Sequence, residues 1–436
     1  MEKSKVSIFW FKRDLRIEDN HGLFKALTGA YPILPIFIFD INILDELETN
    51  DPRVLFIYER LSFLNKILKN HSSSLYCKKG KPEDIWKDIL KKFDVQDVYY
   101  NEDYEPYAKK RDRKIEDILT ASGVNFHTFK DQVIFAKGDI LKADQTPYTI
   151  YTPYKNKWLK KFNNTDIQHF ESEINGNYLK RAFSFPALSE IGFTKSKIKV
   201  VDYTFDYLKE YEAVRNIPAI DKTSHLSPHL RFGTISIRKV ARKGLLNQSF
   251  LNEIIWREFF MQILYHFPEV VHSNFKRKYD HIEWRNNEDD FEKWKNGKTG
   301  YPMVDAGMRE LNTTGYMHNR VRMVTAGFLC KHLLIDWKWG EAYFAKKLLD
   351  YELASNNGNW QWAAGTGCDA APYFRVFNPT EQIKRFDRDL TYVKRWVPEL
   401  DTMSYPTPMV DHKIARERAI RVYKQGIQLN TTKTKR

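Results

Sequence analysis

VSIFWF at residues 6–11 is an apolar run with a single serine, and ILPIFIF at 33–39 repeats the pattern one helix-length stretch later. Similar runs lie at 75–78, 95–100 and 126–129, and amphipathic stretches at 53–70 and 81–93 separate them. Short apolar runs that alternate with helices are typical of parallel strands joined by right-handed crossovers. The sequence therefore predicts a Rossmann-like, doubly wound parallel sheet domain over residues 1–135. No GxGxxG follows the first run, so an ordinary dinucleotide site is not predicted.

The chain changes character after this α/β domain. Residues 165–201 are polar, contain many Ser, Lys and Asn residues and have no clear period, which predicts a connector over 136–202. Helical periodicity then predominates, and the clearest stretches are 235–246, 250–267, 301–311, 320–334 and 341–353. We expect a C-terminal all-α domain over 203–424, followed by a short, frayed basic tail over 425–436.

Composition narrows the choice of partner. The 436 residues carry a formal net charge of +14, which predicts attraction to a polyanion through counterion release. Aromatic residues make up 15% of the chain and can stack on unpaired bases. Charge by itself leaves DNA, RNA and acidic membranes open as partners.

The cysteines and the N-terminus indicate the compartment. Cys77, Cys330 and Cys368 are far apart and lack metal-ligand or CxxC spacing, so neither a disulfide framework nor a metal site is predicted. The apolar runs are much shorter than the ~20 residues of a membrane span, and the start lacks a signal-peptide core. We expect a cytoplasmic protein.

Two motifs are candidate binding sites on their residues alone. TSHLSPHLRFG at 223–233 places hydroxyls before a proline that suits a first helical turn, so it could hold a pyrophosphate. A plain serine N-cap would give the same pattern. In LNEIIWREFF at 251–260, Glu253, Trp256 and Arg257 have helical spacing and share one face. That face fits either a binding site or an ion pair beside a core tryptophan.

NNGNWQWAAGTGCDAAPYFRVFNP at 356–379 sets amides, two tryptophans and an arginine together; a buried aromatic helix with a Gly-rich turn is the alternative. With FKRDLRIEDNHGL at 11–23 and MHNRVRM at 317–323, these motifs resemble the cryptochrome/photolyase family, and within it the class I cyclobutane pyrimidine dimer photolyases. The resemblance runs from about residue 6 to 398. MHNRVRM resembles the dimer class, not the histidine-rich variant of the (6-4) enzymes.

The resemblance implies a light-driven DNA repair enzyme, a carbon-carbon lyase with FAD as cofactor and dimer-containing DNA as partner. Reduced FAD, excited by near-UV or blue light, would donate an electron to the dimer, the cyclobutane ring would split, and the electron would return. The implied FAD contacts are Tyr211, Thr223, Ser224, Leu226, Ser227, Arg322, Asp350, Tyr351, Glu352 and Asn356. The implied DNA or lesion contacts are Arg215, Trp256, Asn319, Arg320, Met323, Trp362 and Arg375.

The resemblance also assigns roles to single residues. Glu253 would hydrogen-bond the dimer and stabilise its radical anion, while Asp350 would pair with Arg322. Asn356 would face N5 of the flavin, where a neutral amide suits a flavin kept reduced. Trp360, Trp337 and Trp284 would form the relay that photoreduces the oxidised flavin. Glu352 departs from the family, which more often has aspartate at this position.

Other features separate this chain from particular relatives. YEPYAKKRD at 104–112 lacks the Asn-Glu pair of folate-type photolyases, so a folate antenna is less expected than a deazaflavin, another flavin or no antenna. The main alternative function is a cryptochrome, a blue-light receptor without repair activity. A flavin-free nucleic-acid-binding protein would leave the 223–233 and 356–379 motifs without a purpose. We expect a monomer.

Overall fold

The computed structural model describes residues 4–172 and 176–433, which fall into two compact units. Unit 1 comprises residues 4–139, 158–203 and 225–254; unit 2 comprises 140–157, 204–224 and 255–433. The predicted connector, 136–202, contributes residues to both units. The domain bounds expected from the sequence stay a prediction.

Unit 1 contains a parallel sheet, in which the described residues form five strands in the order β3-β2-β1-β4-β5. The strands are β1 (Lys5–Phe11), β2 (Ile33–Asp40), β3 (Tyr76–Gly80), β4 (Asp94–Asn101) and β5 (Asn125–Phe129). The strand order reverses between β1 and β4, which is the switch point of a doubly wound sheet. The predicted α/β fold class is confirmed.

Burial on both faces explains why these strands lack polar alternation. Val6, Ile8 and Trp10 of β1 belong to the apolar cluster on one face, whereas Phe9 and Phe11 belong to the cluster on the other. Side chains alternate across a strand, and a parallel sheet covered by helices buries both sets.

The helices of the described residues follow the predicted order. They are α1 (His21–Leu27), α2 (Ile41–Leu44), α3 (Pro52–Asn70), α4 (Pro82–Lys92), α5 (Pro106–Ala121), α6 (Tyr151–Lys161), α7 (Tyr211–Val214), α8 (Leu226–Arg231), α9 (Ile237–Gly244), α10 (Gln248–His266), α11 (Glu288–Lys295), α12 (Pro302–Thr314), α13 (Asn319–Gly327), α14 (Trp337–Lys347), α15 (Leu353–Ala364), α16 (Pro379–Phe386), α17 (Thr391–Trp396) and α18 (His412–Lys433). Short 3-10 turns occupy Asn164–Ile167, Leu208–Glu210, Pro268–Val271 and Arg277–Tyr279. None of the helices described here combines the length and apolar character that a bilayer span requires.

Two predicted helices have different bounds in the structure. The stretch 320–334 divides into α13 and a π-helical turn at Phe328–His332. The single helix predicted over 341–353 is wrong, because α14 ends at Lys347 and α15 begins at Leu353. Leu348 has an extended backbone, and the N–H of Leu349 donates to the carbonyl of Gly315 (2.9 Å). The chain therefore turns between the helices.

The frayed tail expected from residue 425 is wrong as far as Lys433, because α18 continues through it. Gly426 explains the docking of this helix: a Cβ there would lie 2.8 Å from the carbonyl oxygen of His281. Close approach to another backbone segment requires a residue without a side chain. Residues 434–436 lie outside the described residues.

Candidate functional site

A bidentate ion pair lies in unit 2 where the sequence predicted one. Arg322 of α13 donates to both carboxylate oxygens of Asp350, at 3.2 and 2.9 Å, and its Nε donates to the carbonyl of Met317 (2.7 Å). Burial alone would lower the pKa of Arg322, but Asp350, Tyr316 and Glu310 together raise it above its ordinary value. The turn between α14 and α15 presents Asp350, so the predicted pair depends on the helix break.

The amide of Asn356 has a defined orientation. This buried residue of α15 donates through Nδ2 to Oε1 of Glu341 (2.8 Å) and to the Glu341 carbonyl (3.1 Å). Burial raises the pKa of Glu341, and the hydrogen bond from Asn356 opposes that rise. Because a carboxylate only accepts hydrogen bonds, it selects the NH₂ end of the amide. Oδ1 of Asn356 is therefore directed away from Glu341.

Glu352 and Arg257 form a second buried ion pair. Arg257 of α10 donates to Glu352 (3.0 Å), and the Ser355 hydroxyl donates to the other carboxylate oxygen (3.1 Å). Glu352 thus has protein partners at both oxygens. Elsewhere in unit 2, the Tyr316 hydroxyl donates to Oγ1 of Thr223 (3.3 Å), and burial raises the pKa of Tyr316 to about 12.

The start of α8 differs from a serine-capped helix. The N-cap is His225, which has a left-handed backbone (φ 50°) and makes no side-chain cap hydrogen bond. The alternative of a plain serine N-cap is therefore wrong. Of the predicted contacts, Tyr211, Thr223 and Ser224 belong to unit 2, whereas Leu226, Ser227 and Glu253 belong to unit 1.

Trp256 is a half-buried indole on α10. Its ring stacks on Tyr151 with centroids 3.6 Å apart and planes 7° from parallel. Glu253 is one helical turn earlier on the same helix and is also half-buried. The helical spacing predicted for these side chains is confirmed.

The three tryptophans predicted as a relay lie in the apolar core of unit 2. Trp360 and Trp337 are 2% and 1% exposed, and the half-buried Trp284 packs against the same cluster. Trp337 Nε1 donates to Oδ1 of Asn274 (2.9 Å). A fourth tryptophan, Trp294, lies 6.2 Å from Trp360 between ring centroids. The structure brings the indoles together, and the relay itself stays a proposal.

Guanidinium groups gather near the start of α13. Burial lowers the pKa of Arg320, and the charges of Arg385, Arg215 and Arg375 lower it further, so the four groups share one positive field. Arg320 also donates to Oδ1 of Asn216 (2.7 Å). We call Arg215, Arg320, Arg375 and Arg385 the arginine cluster. Three of its members were predicted DNA contacts, and Arg385 was not.

The remaining predicted contacts lie on α13, on α15 and in the turn before α15. Asn319 is the first residue of α13, and Met323 lies one turn later, with its sulfur 3.7 Å from Nη1 of Arg320. Trp362 is half-buried on α15, and Tyr351 packs against the core that contains Trp360.

The loop after β1 in unit 1 is engaged in internal contacts. Lys12 Nζ donates to Asp112 (2.6 Å) and lies 4.0 Å from the ring centroid of Tyr100. Asp14 accepts from the Lys12 N–H (2.7 Å) and from Nδ2 of Asn101 (2.6 Å). Burial lowers the pKa of Lys12 and raises that of Asp14. These contacts account for Lys12 and Asp14 of the motif as structural groups.

Comparison with known proteins identifies the family. A model described as DNA photolyase matches residues 7–172, and one described as FAD binding domain of DNA photolyase matches residues 250–404. The deoxyribodipyrimidine photo-lyase of Halobacterium salinarum is 36% identical over 97% of this chain and 99% of its own length. Its counterpart in Agrobacterium fabrum is 35% identical over 97% and 98%. This chain belongs to the photolyase/cryptochrome family.

Solved structures agree over nearly the whole chain. A class III photolyase from Agrobacterium tumefaciens superposes with a TM-score of 0.88 at 32% identity, covering 98% of this chain and 99% of that one. A Sulfolobus tokodaii photolyase with two FAD molecules gives 0.85 at 35% identity, over 96% and 99%. A Synechocystis cryptochrome gives 0.85 at 25% identity, over 97% and 100%.

The side chains present in unit 2 fit FAD. The hydroxyls of Thr223 and Tyr316 suit phosphate and ribose oxygens, and the guanidinium of Arg322 suits acceptor atoms of the flavin. The oriented amide of Asn356 suits a ring N–H. FAD is the cofactor indicated by the matched domain.

Sequence reasoning missed Glu341, Tyr151 and Arg385. Glu341 lies on α14, whereas its partner Asn356 lies on α15, and Tyr151 is far from Trp256 along the chain. Neither residue belongs to a motif, so no periodic or spacing signal could have found them. Arg385 follows Lys384 in a basic stretch whose charge alone was the available signal.

Proposed function

We propose that this protein repairs cyclobutane pyrimidine dimers in DNA with light. The observation that carries the proposal is similarity over nearly the full chain to proteins named deoxyribodipyrimidine photo-lyase. Reduced FAD supplies the light-driven electron and takes it back after the ring opens. The side chains of the protein bind the DNA backbone, stack on the flipped dimer and orient the cofactor.

The arginine cluster holds the DNA backbone. Guanidinium groups contact phosphates and set the position of the strand without reading its sequence. Arg320 is fixed by Asn216, so part of its conformational freedom is already lost before DNA binds. A dimer stacks and pairs less well than normal bases, so turning it out of the helix costs less, and selectivity follows.

Trp256 and Glu253 receive the dimer in this proposal. The half-buried indole of Trp256 offers an apolar surface for stacking, and Glu253 supplies a carboxyl group one helical turn away. Asn319, Met323 and Trp362 border the lesion, and Arg375 contacts its phosphates. When its carboxyl group carries a proton, Glu253 donates a hydrogen bond to the dimer and stabilises the negative charge that develops there.

Asn356 maintains the reduced cofactor. Glu341 occupies the Nδ2 end of the amide, so Oδ1 is the end that would accept a hydrogen bond from an N–H of the reduced flavin. Arg322 and Asp350 would hold the flavin, and further cofactor contacts would come from Tyr211, Thr223, Ser224, Leu226, Ser227, Tyr351 and Glu352. Trp360, Trp337 and Trp284 conduct an electron inward when the cofactor must be reduced.

Finer properties also belong to the proposal. We infer a cytoplasmic monomer of the class I type, with reduced thiols at Cys77, Cys330 and Cys368, all of which are buried and free. The missing Asn-Glu pair at 104–112 favours a deazaflavin, another flavin or no antenna chromophore over a folate.

Repair of an oligonucleotide with one thymine dimer tests the proposal. The chemically reduced FAD-bound protein should restore the thymines under blue light and not in the dark. Glu253→Ala and Trp256→Ala should each lose repair, whereas Glu269→Ala, at an exposed glutamate, should retain it.

A cryptochrome function is the second candidate, because a cryptochrome structure superposes over 97% of this chain. A protein that binds and reduces FAD but leaves the dimer intact in light would support that function and refute repair.

A further inference from the structure

One face of Trp256 is already covered. The ring of Tyr151, at the first position of α6, lies parallel to the indole with a centroid separation of 3.6 Å. Tyr151 is only 7% exposed, whereas Trp256 is half-buried. Phe259 and Phe260 also contact the indole, with centroids 5.6 and 5.5 Å away, but Tyr151 is the ring that lies parallel to it. The exposed part of the indole lies away from these three rings.

Tyr151 is itself held at several points. Its backbone N–H donates to Oδ2 of Asp369 (3.0 Å), which satisfies one of the unpaired N–H groups at the start of α6. Its ring packs edge-on against Phe259, with centroids 5.9 Å apart. One turn along α6, the Tyr154 hydroxyl donates to the buried Glu258 (3.2 Å). The Tyr151 ring is therefore a fixed surface.

We propose that Tyr151 is a positioning residue for the dimer: it fixes the plane of Trp256 from behind, so that the opposite indole face is ready to stack on the flipped bases. This inference rests on the proposed function. Nothing in the repair chemistry passes through Tyr151; it acts only through Trp256.

The physical reason is pre-organisation. An indole that rotates freely loses that freedom when a base stacks on it, and the loss weakens binding. A parallel aromatic neighbour restricts the ring beforehand. The free energy that a stacked aromatic pair contributes corresponds to about a three- to tenfold change in a binding constant. The benefit applies to the flipped dimer and not to undamaged duplex, whose bases stay stacked in the helix.

Binding of damaged and undamaged DNA in the dark tests the inference. The FAD-bound Tyr151→Leu variant should bind a dimer-containing oligonucleotide about three- to tenfold more weakly than wild type and the undamaged oligonucleotide equally well. Tyr151→Phe, which retains the ring, should bind both as wild type does. In a Trp256→Ala background, Tyr151→Leu should have no further effect on dimer affinity, since the stacking partner is gone.

Three results would overturn the inference: unchanged dimer affinity in Tyr151→Leu, an equal loss for damaged and undamaged DNA, or the same loss in the Trp256→Ala background. If Tyr151→Leu does not fold, Asp369→Ala releases the Tyr151 N–H and leaves both rings intact. It should weaken dimer binding alone, and no such weakening would refute the inference. Wild type that neither binds nor repairs the dimer would refute the proposed function instead.

Discussion

At the scale of single residues, close packing around Trp360 leaves no room for added atoms. A Cβ at Gly340 of α14 would lie 2.1 Å from the Trp360 ring. Trp360 therefore lies against bare backbone of the helix that begins with Trp337. A glycine inside a helix normally costs stability, so its presence here reflects the indole beside it.

Gly340→Ala should lower stability by about 1–3 kcal/mol, because the displaced indole outweighs the gain in helix propensity. Thermal unfolding of the FAD-bound protein measures the effect. Gly327→Ala is the matched control: its nearest neighbour is Phe377 at 3.9 Å, so the added methyl fits, and stability should stay equal or rise. Equal Tm changes in the two variants would contradict this account of Trp360.

Glu310 should make stability depend on pH. Burial raises its pKa from the ordinary 4.5 to about 7, against hydrogen bonds from Tyr392 (2.6 Å) and the His318 N–H and the charge of Arg322; Asp221 raises it further. The folded state thus binds this proton more tightly than the unfolded state. The resulting stability is present below pH 4.5 and is lost as pH rises through 7.

Glu310→Gln removes that loss. The free energy of unfolding of wild type should fall by about 3 kcal/mol as the pH rises from 4.5 to 7, through Glu310 alone, and the variant should not show this fall. Urea unfolding at pH 5 and pH 8 measures the difference. Glu417→Gln, at an exposed position of α18, should keep the wild-type pH dependence. If Glu310→Gln changes the free energy of unfolding by the same amount at pH 5 and pH 8, the role of Glu310 is refuted.

At the scale of elements, α13 begins with a histidine cap. Nδ1 of His318 accepts from the N–H of Arg320 (3.2 Å). Burial, with the charges of Arg322 and Arg320, lowers the pKa of His318 to about 4, so the ring is neutral at physiological pH and can accept. The cap fixes the turn that carries Asn319 and Arg320.

Removing this cap with His318→Ala should cost about 1–2 kcal/mol, as lost helix caps do. His318→Asn, which supplies an acceptor of similar reach, should recover part of the loss. Chemical denaturation of both variants gives the comparison. If the asparagine variant is as unstable as the alanine variant, the ring's packing and not its hydrogen bond supports the helix.

The helix break at 348–352 shows where element prediction fails. Hydrophobic periodicity runs on from α14 and predicts one helix, yet Leu349 pairs with Gly315, far away in the chain. A single tertiary hydrogen bond and an extended Leu348 redirect the backbone there. The predicted Arg322–Asp350 pair was correct because the family resemblance, not the local pattern, carried it.

At the scale of the whole molecule, the charge of +14 matters through its placement. Arg385 is exposed, and its charge lowers the pKa of Arg320, so the two groups are close. Contact of Arg385 with a phosphate should therefore release about one counterion from DNA. A plot of log affinity against log salt concentration has a negative slope. Arg385→Ala should make that slope shallower by about one, equally for damaged and undamaged DNA.

Fluorescence titrations at several salt concentrations measure that slope. Arg416→Ala, at an exposed position of α18 outside the arginine cluster, is the control that changes net charge by the same amount. If both variants change the slope equally, net charge and not the cluster governs binding.

The parallel sheet, the succession of helices and the family could be predicted from the amino-acid sequence alone. Strand burial on both faces and helical periodicity are local signals, and the family motifs are strings of neighbouring residues. Val6 to Phe11 and the segment around Asn356 could therefore be interpreted without a structure.

Three features depend on helix packing and could not be predicted: the orientation of Asn356 by Glu341, the stacking of Tyr151 on Trp256, and the place of Arg385 in the arginine cluster. Each of these contacts joins residues on different helices. A contact of that kind leaves no period or spacing in the chain, because it depends on how the helices pack. Local patterns specify the elements; the packing of unit 2 specifies which side chains meet.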